Sequence, residues 1–255
     1  MKIAINQPTY LPWAGYFDLI DQADLFVLLD NVQFAKQSWQ QRNRIRTAAG
    51  LQWLSVPVAF RGHFGQLIKD VEIRDPNFCH DQIRAIELAY RRAPHFAKYF
   101  PALKQRLQEL SNGLLVDLNI GLIRLLMDFL RISTPLVRAS TLNVNGRRTE
   151  LLANICERVG ASEYLSPLGS AVYLLEEQEI LCARGITIFF QNYEHPQYPQ
   201  LYAPFEAFAS VIDLIFNCGE NALAILRRGR REPYSAAQLA HLQTAANAAN
   251  VLGRA

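Results

Sequence analysis

Three short segments of this chain carry side chains able to recognise or transform a small molecule. The first is Gln7-Pro8-Thr9-Tyr10-Leu11-Pro12-Trp13-Ala14-Gly15-Tyr16-Phe17. Gln7, Tyr10 and Tyr16 offer hydrogen-bond donors there, and Trp13 offers a face for stacking. The second is Lys36-Gln37-Ser38-Trp39-Gln40-Gln41-Arg42-Asn43-Arg44, which sets a lysine, a tryptophan and two arginines within nine residues. In an extended chain Arg42 and Arg44 share one face and Asn43 takes the other, a disposition suited to a phosphate, pyrophosphate or carboxylate. The third is Tyr193-Glu194-His195-Pro196-Gln197-Tyr198-Pro199-Gln200. His195 titrates near neutrality and can serve as a general base. Two carboxylates complete the set. Asp30 closes the apolar run Leu25–Leu29, and Asp213 lies inside Val211-Ile212-Asp213-Leu214-Ile215-Phe216. A carboxylate in such company needs a partner or a shifted pKa if it is buried, and an arginine of the 42–44 segment is a candidate partner.

Each feature has a plainer reading beside the chemical one. The proline-aromatic segment can be a rigid turn that only packs a helix, the arginine segment a solvated edge strand, and His195 a surface loop residue. Basic residues beside an aromatic can also grip nucleic acid. A net charge of +3, with no second basic stripe except Arg227-Arg228 and Arg230-Arg231, speaks against that. Of the 26 cations five are lysine and the rest arginine, the bidentate kind. The sequence contains neither GxGxxG nor GxxxxGK[ST], so no dinucleotide fingerprint or P-loop is present. Cys79, Cys156, Cys182 and Cys218 are scattered without a CxxC pair, which predicts reduced thiols and no zinc site. Cys79 and His80, adjacent on a helix, cannot share one face as a nucleophile–base pair.

These side chains need elements to hold them. Met1–Asn6 reads as a buried first strand, Pro8 and Pro12 forbid regular structure between them, and Trp13–Ala23 has helical spacing. With a second strand over 25–29 this is a βαβ unit, hence a parallel sheet with a right-handed crossover. The first segment then lies at the carboxyl edge of the sheet, where open α/β sheets bind ligands. Free N–H groups of a helix starting near Trp13 favour an anion there. The pattern over 40–58, with Ala48-Ala49-Gly50 between, predicts a hairpin, and 69–73 a short strand. Residues 78–90, 96–110 and 114–130 are helical in pattern. A second α/β portion follows: a helix capped by Thr149 and running through Val159, a strand at Tyr164-Leu165, a helix over 174–183 and a strand over 186–190. An apolar helix over 210–218 is ended by Gly219. The fold class expected is α/β, a Rossmann-like, mainly parallel sheet with an added hairpin and a helical insertion at about 78–131. Residues 1–232 form one domain in this reading, and 233–255 a peripheral C-terminal helix.

Composition sets the frame. The chain has 255 residues, 50% hydrophobic and 19% charged, which excludes a disordered chain, a collagen and a coiled coil. No apolar run reaches the ~18–20 residues that cross a bilayer, and Met1-Lys2 is followed by only three apolar residues before Asn6-Gln7-Pro8. A soluble, cytoplasmic protein is expected.

Together the segments resemble the WbqC-like family of bacterial proteins. The matching blocks are QPTYLPWAGYFDLIDQADLFVLLDNVQF, KQSWQQRNRIR, AIELAYRRAPHF, YLSPLGSAVYL and NYEHPQYPQLYAPFEAFASVIDLIFNCG, in order along the chain. Gln41 stands where the family favours Asn, and Gln82 where it carries a His. The resemblance implies an enzyme of surface-polysaccharide or specialised-metabolite biosynthesis, transferase- or cyclase-like, joining an amine to an activated acyl group as an amide or imine. It places Gln33, Tyr193, Tyr198, Gln200 and Ser210 beside the residues already named. Asp30, Asp213 or His195 is then the base, Tyr10 or Asn43 the donor to the developing oxyanion, and Lys36, Arg42 and Arg44 the grip on a phosphate. Gln7, Trp13, Tyr16 and Trp39 bind the substrate. No metal or other cofactor is expected. The partner expected is a small-molecule substrate, carried on a carrier protein or as a CoA-type thioester, with no nucleic acid; a homodimer stays open. Two alternatives remain at this level, an enzyme handling a nucleotide or nucleotide-sugar and a non-catalytic binding protein of a pathway.

Overall fold

The structure, a computed structural model, describes residues 1–60, 62, 65–242 and 244. The N-terminal apolar run forms β1 (Lys2–Asn6), buried along its centre. Pro8 and Pro12 keep the following residues out of ladder and helix. The chain then enters α1 (Ala14–Asp21), which is buried from Ala14 through Ile20. β2 (Leu25–Leu28) returns parallel to β1. The expected strand–helix–strand unit is present.

The arginine segment becomes β3 (Arg42–Thr47), paired antiparallel with β4 (Gly50–Ser55) as a separate two-stranded sheet. Three helices follow, α2 (Phe78–Tyr90), α3 (Phe96–Glu109) and α4 (Leu115–Leu130), each with one apolar flank turned inward. β5 (Leu136–Arg138) then pairs parallel with β2. α5 (Arg148–Val159), β6 (Glu163–Ser166), α6 (Ala171–Glu176), α7 (Glu179–Cys182) and β7 (Thr187–Phe190) build the second α/β portion. α8 (Val211–Cys218), α9 (Ala222–Arg228) and β8 (Tyr234–Ser235) complete the described chain apart from helical residues 236–242.

The main sheet has six strands in the order β5-β2-β1-β6-β7-β8. All its pairings are parallel except the last, β7 with β8. Side chains alternate between its faces. Ile3, Ile5 and Val27 enter a core shared with α5, α6 and α7, while Ala4, Phe26 and Leu28 enter a larger core shared with α1, the hairpin and α2–α4. Cover on both faces explains why the strands read as continuous apolar runs. Chain order runs outward from β1 to β2 and β5, then jumps back to β6 on the other side of β1. The order therefore reverses between β1 and β6.

Several local expectations change. The short strand expected over 69–73 is a 3-10 turn, Ile68–Asp70, followed by single bridges. Thr149 does not cap α5: Arg147 holds that place, and the Thr149 hydroxyl is buried and donates to Glu177. The helix expected over 174–183 is broken into α6 and α7 at Glu177-Gln178. The tail expected to be helical from 233 first forms β8; residues 243 and 245–255 of it lie outside the described residues. Ser210 does cap α8, accepting from the Ile212 N–H, and Gly219 ends that helix at φ +55°. Among the described residues no helix is long and apolar enough to cross a membrane.

Candidate functional site

At the carboxyl end of β1 the chain encloses a cavity of about 410 Å³, a size usual for small-molecule sites. Asn6 and Gln7 come into it from the end of β1 and Thr9 from the proline turn; Trp13 and Tyr16 come from α1 and the residue before it. The loop before β3 supplies Ser38, Trp39 and Gln40, β3 supplies Asn43 and Arg44, and Phe208 reaches in from the loop before α8. The floor is amide-rich. Gln40 Nε2 donates to Gln7 Oε1 at 2.7 Å, and Asn6 Oδ1 accepts the Gln7 N–H at 2.8 Å. Among the described residues Gln7 Nε2 and Asn6 Nδ2 donate no hydrogen bond. Tyr16 hydroxyl donates to the Gln7 carbonyl at 3.0 Å, and burial keeps that phenol protonated by raising its pKa.

Two aromatic groups flank the opening. On one side Trp13 packs against Phe208 and Tyr193 with ring centroids 5.4 and 5.6 Å apart, and stacks on His195 at 6.1 Å. The indole lies flat over Gly15, where any Cβ would collide with the ring. On the other side Trp39 and Trp53 lie 5.4 Å apart, both about half exposed. Arg44 stands over both rings, 5.7 Å from Trp39 and 5.4 Å from Trp53, and Arg42 over Trp53 at 4.4 Å. The β3–β4 register puts Arg44 directly opposite Trp53, which explains the stack. Arg42 and Arg44 meet no carboxylate, and their guanidinium groups donate no hydrogen bond among the described residues. Arg44, a half-buried cation with spare donors, therefore lines the cavity, with Arg42 beside it on the same Trp53 ring, an arrangement complementary to an anion.

Other residues hold this site in place, their polar groups spent on neighbours. Tyr10 is fully buried and its hydroxyl donates to Gln82, the residue in the place of the family's His. Asn43 touches the cavity, yet both amide hydrogens go to the carbonyls of Tyr10 and Leu11, at 3.2 and 2.8 Å. Asn119 adds bonds to Pro8 and Gln40 carbonyls at 3.0 and 2.7 Å. These clamps fix Leu11 at φ +41°, a conformation that a non-glycine residue adopts at a cost. Ser210 joins them through backbone: its N–H donates to the Arg44 carbonyl, and Val211 N–H to that of Pro12.

The carboxylates lie elsewhere. Asp30 is buried and saturated by Arg138 Nε at 2.6 Å and by Ser140 through both its N–H and hydroxyl, tying the end of β2 to that of β5. Asp213 is buried, its Oδ2 accepting from Tyr198 hydroxyl at 2.7 Å and Gln200 Nε2 at 2.8 Å, while Oδ1 meets no donor among the described residues. Burial raises its pKa against those donors. The arginine near it is not Arg42 or Arg44 but Arg46, which ion-pairs with Glu206 at 3.3 Å. His195 sits one ring behind the wall. Its Nδ1–H donates to Pro196 carbonyl at 3.1 Å, so Nε2 carries a lone pair that no described group meets. Burial lowers its pKa. Tyr193 hydroxyl donates to Leu226 carbonyl. Lys36 is exposed over Phe60, and Gln33 faces a neighbouring cavity. Among the described residues no cluster of His, Cys, Asp and Glu is disposed to hold a metal ion.

Reading the sequence alone missed Asn6, Trp53 and Phe208. Trp53 had a signal, since it alternates on the strand facing Arg44. Phe208, in an irregular loop at φ +63°, had none.

The fold is an open, mainly parallel α/β sheet, and its cavity lies at the carboxyl end of β1, the edge at which sheets of this kind receive ligands. The family model for the WbqC-like protein family matches residues 7–225, and the chain belongs to that family. It is similar to the uncharacterized protein Rv1507c of Mycobacterium tuberculosis, 36% identical over 231 residues that cover 90% of this chain and 99% of the relative. No solved structure matches.

Proposed function

We propose that the chain joins an amine to an acyl group carried as a thioester on a phosphate-bearing arm, of CoA or carrier-protein type. One observation carries this reading: the Arg44 guanidinium, unpaired among the described residues, lines an amide-floored cavity, and that of Arg42, equally unpaired, stacks beside it on Trp53. The arm's phosphate is held by the two arginines, and Trp13 and Trp39 close on the arm itself. Gln7 Nε2 and Asn6 Nδ2 face the acyl carbonyl and stabilise the oxyanion that develops as the amine nitrogen attacks. The C–N bond forms, the C–S bond breaks, and the thiol leaves with the proton released by nitrogen. Among the bases expected from sequence His195 Nε2 and Asp213 Oδ1 both lack a partner among the described residues. His195 stacks on Trp13 of the cavity wall whereas Asp213 lies under Tyr198 and Gln200, so the intermediate proton transfer is given to His195. Asp30, Asp213, Tyr10 and Asn43 become positioning residues. Alignment of two bound reactants then provides much of the rate.

The test is titration of CoA and acetyl-CoA into the protein by calorimetry, with Arg44→Ala alongside. Binding at micromolar concentration that weakens roughly tenfold or more in a folded variant is expected, the loss of a charge-assisted hydrogen bond. Equal affinity for both proteins would overturn the assignment of the grip.

The strand order favours a second reading. Reversal between β1 and β6 is the place where doubly wound sheets hold nucleotides, and stacking on Trp39 suits a base. Tighter binding of ADP or a nucleotide-sugar than of CoA in the same titration would select it.

A further inference from the structure

Beside the first cavity lies a second, of about 370 Å³, and Gln7 lines both. It is bounded by Leu29 and Val32 at the end of β2, by Leu151 and Leu152 of α5, and by Tyr173 on α6 beyond β6. That puts it over the ends of β1, β2 and β6, in the crevice where the strand order reverses, the position at which open α/β sheets receive ligands. Its lining is mostly apolar. Among the described residues Arg148 is the one cation at its rim, and it is already paired with Glu177 at 2.9 Å and stacked over Tyr173 at 5.5 Å. Pro8 removes an N–H from the turn after β1, and no glycine loop opens there to cradle a phosphate. An anionic headgroup has no seat in this crevice. An apolar chain has one.

We propose that the second cavity is the acyl-chain subsite, taking a short aliphatic or aromatic acyl group whose carbonyl stops at Gln7. This deepens the thioester reading and rests on it. An arm entering past Arg42 and Arg44 runs through the first cavity to Gln7, and the group it carries continues into the second. The division is chemical: a cationic, aromatic and amide-lined half for the arm, an apolar half for its cargo. Leu29, Val32 and Tyr173 are the half-buried walls that set how long a cargo fits.

The experiment compares Kd for CoA and for acetyl-, butanoyl-, hexanoyl- and octanoyl-CoA in the wild-type chain, Leu29→Trp and Tyr173→Ala. Free butanoate, hexanoate and octanoate serve as probes without the arm. Burial of each added methylene is worth roughly fourfold in affinity until the cavity is filled. Leu29→Trp is expected to stop that gain at a shorter chain, and Tyr173→Ala to extend it, with affinity for CoA itself unchanged in both. The opposite signs expected of the two variants guard against one that merely fails to fold. If CoA does not bind but the free acids tighten with length and respond to both substitutions, the thioester reading falls and the apolar subsite stands. If neither series depends on chain length, or the dependence ignores both substitutions, the subsite is overturned.

Discussion

Arg44 sits under two competing demands. Stacking on Trp39 and Trp53 holds its guanidinium plane, worth about 0.5–1 kcal/mol at an exposed site. Its Nε is buried without a partner among the described residues, so the ring contacts orient the group without consuming its donors. Lysine at this position keeps the charge and loses the planar fork. Arg44→Lys is therefore expected to fall between wild type and Arg44→Ala in CoA affinity by calorimetry, and equality with wild type would mean that charge alone matters. His195 is the opposite case, a group whose environment disfavours charge. Burial lowers its pKa below the ordinary 6.5. As pH falls below that value the unfolded chain takes the proton first, so stability is complete above pH 6.5 and is lost on acidification through the window down to the folded pKa. His195→Phe, which suits the surrounding rings, should flatten that part of the slope in urea unfolding measured against pH. An unchanged slope would assign the acid sensitivity to other groups.

Among the elements, α1 and β3 meet the greatest constraint. α1 is buried on every side, including Asp18, which is fully enclosed. Arg230 Nε donates to Asp18 at 2.8 Å and Gln191 Nε2 to its other oxygen at 2.8 Å, while Asp21 takes Arg227 and Arg230. Burial still raises the Asp18 pKa, whereas at Asp21 the two arginines outweigh burial and lower it. Arg230→Ala leaves an enclosed carboxylate without its cation and should cost roughly 3 kcal/mol in denaturant unfolding. Arg227→Ala, at an exposed pair, should cost less than about 1 kcal/mol. Similar losses in the two variants would show that the network acts as one unit. The proline turn has its own anchor. Asn43→Ala strips two buried carbonyls of their donor and should cost roughly 2 kcal/mol. It should also weaken ligand binding, because Trp13 and Thr9 hang from that turn.

At the level of the whole molecule, the thiols stand apart from the proposed chemistry. Cys79, Cys156 and Cys218 are buried, Cys182 is exposed, and none lines either cavity. Burial pushes the Cys156 thiol up to about 12 and the Cys218 thiol up to about 11, too high for ready nucleophiles. A chain with all four replaced by Ala or Ser should keep turnover, with intact-mass spectra free of acylated protein. An acyl adduct on cysteine in the wild type, or lost turnover in a folded cysteine-free chain, would replace direct aminolysis by a thiol relay. The architecture itself was largely readable in advance. Apolar runs bounded by proline or aspartate announce β1 and β2, and the alternation of Arg42, Arg44 and Arg46 announces the hairpin. β5 and β8, three and two residues long, lack the length for a pattern, and pairing with strands far along the chain creates them. The site was half readable. Residue types pointed to Gln7, Trp13, Trp39 and Arg44. Nothing local could show that Tyr10, Asn43 and Asp30 spend their polar groups on neighbours, since Gln82, the turn carbonyls and Arg138 are brought to them only by folding.

The flat seat of Trp13 on Gly15 carries a consequence for how such a site diversifies. A single added methyl at position 15 meets the indole and must tip the ring, since the space beneath it is already taken. Tipping moves one wall of the chamber while sheet, turn clamps and arginine grip stay put. In the proposed reading chamber width is thus set from a residue outside the cavity lining, and one codon can resize the chamber without touching Arg44.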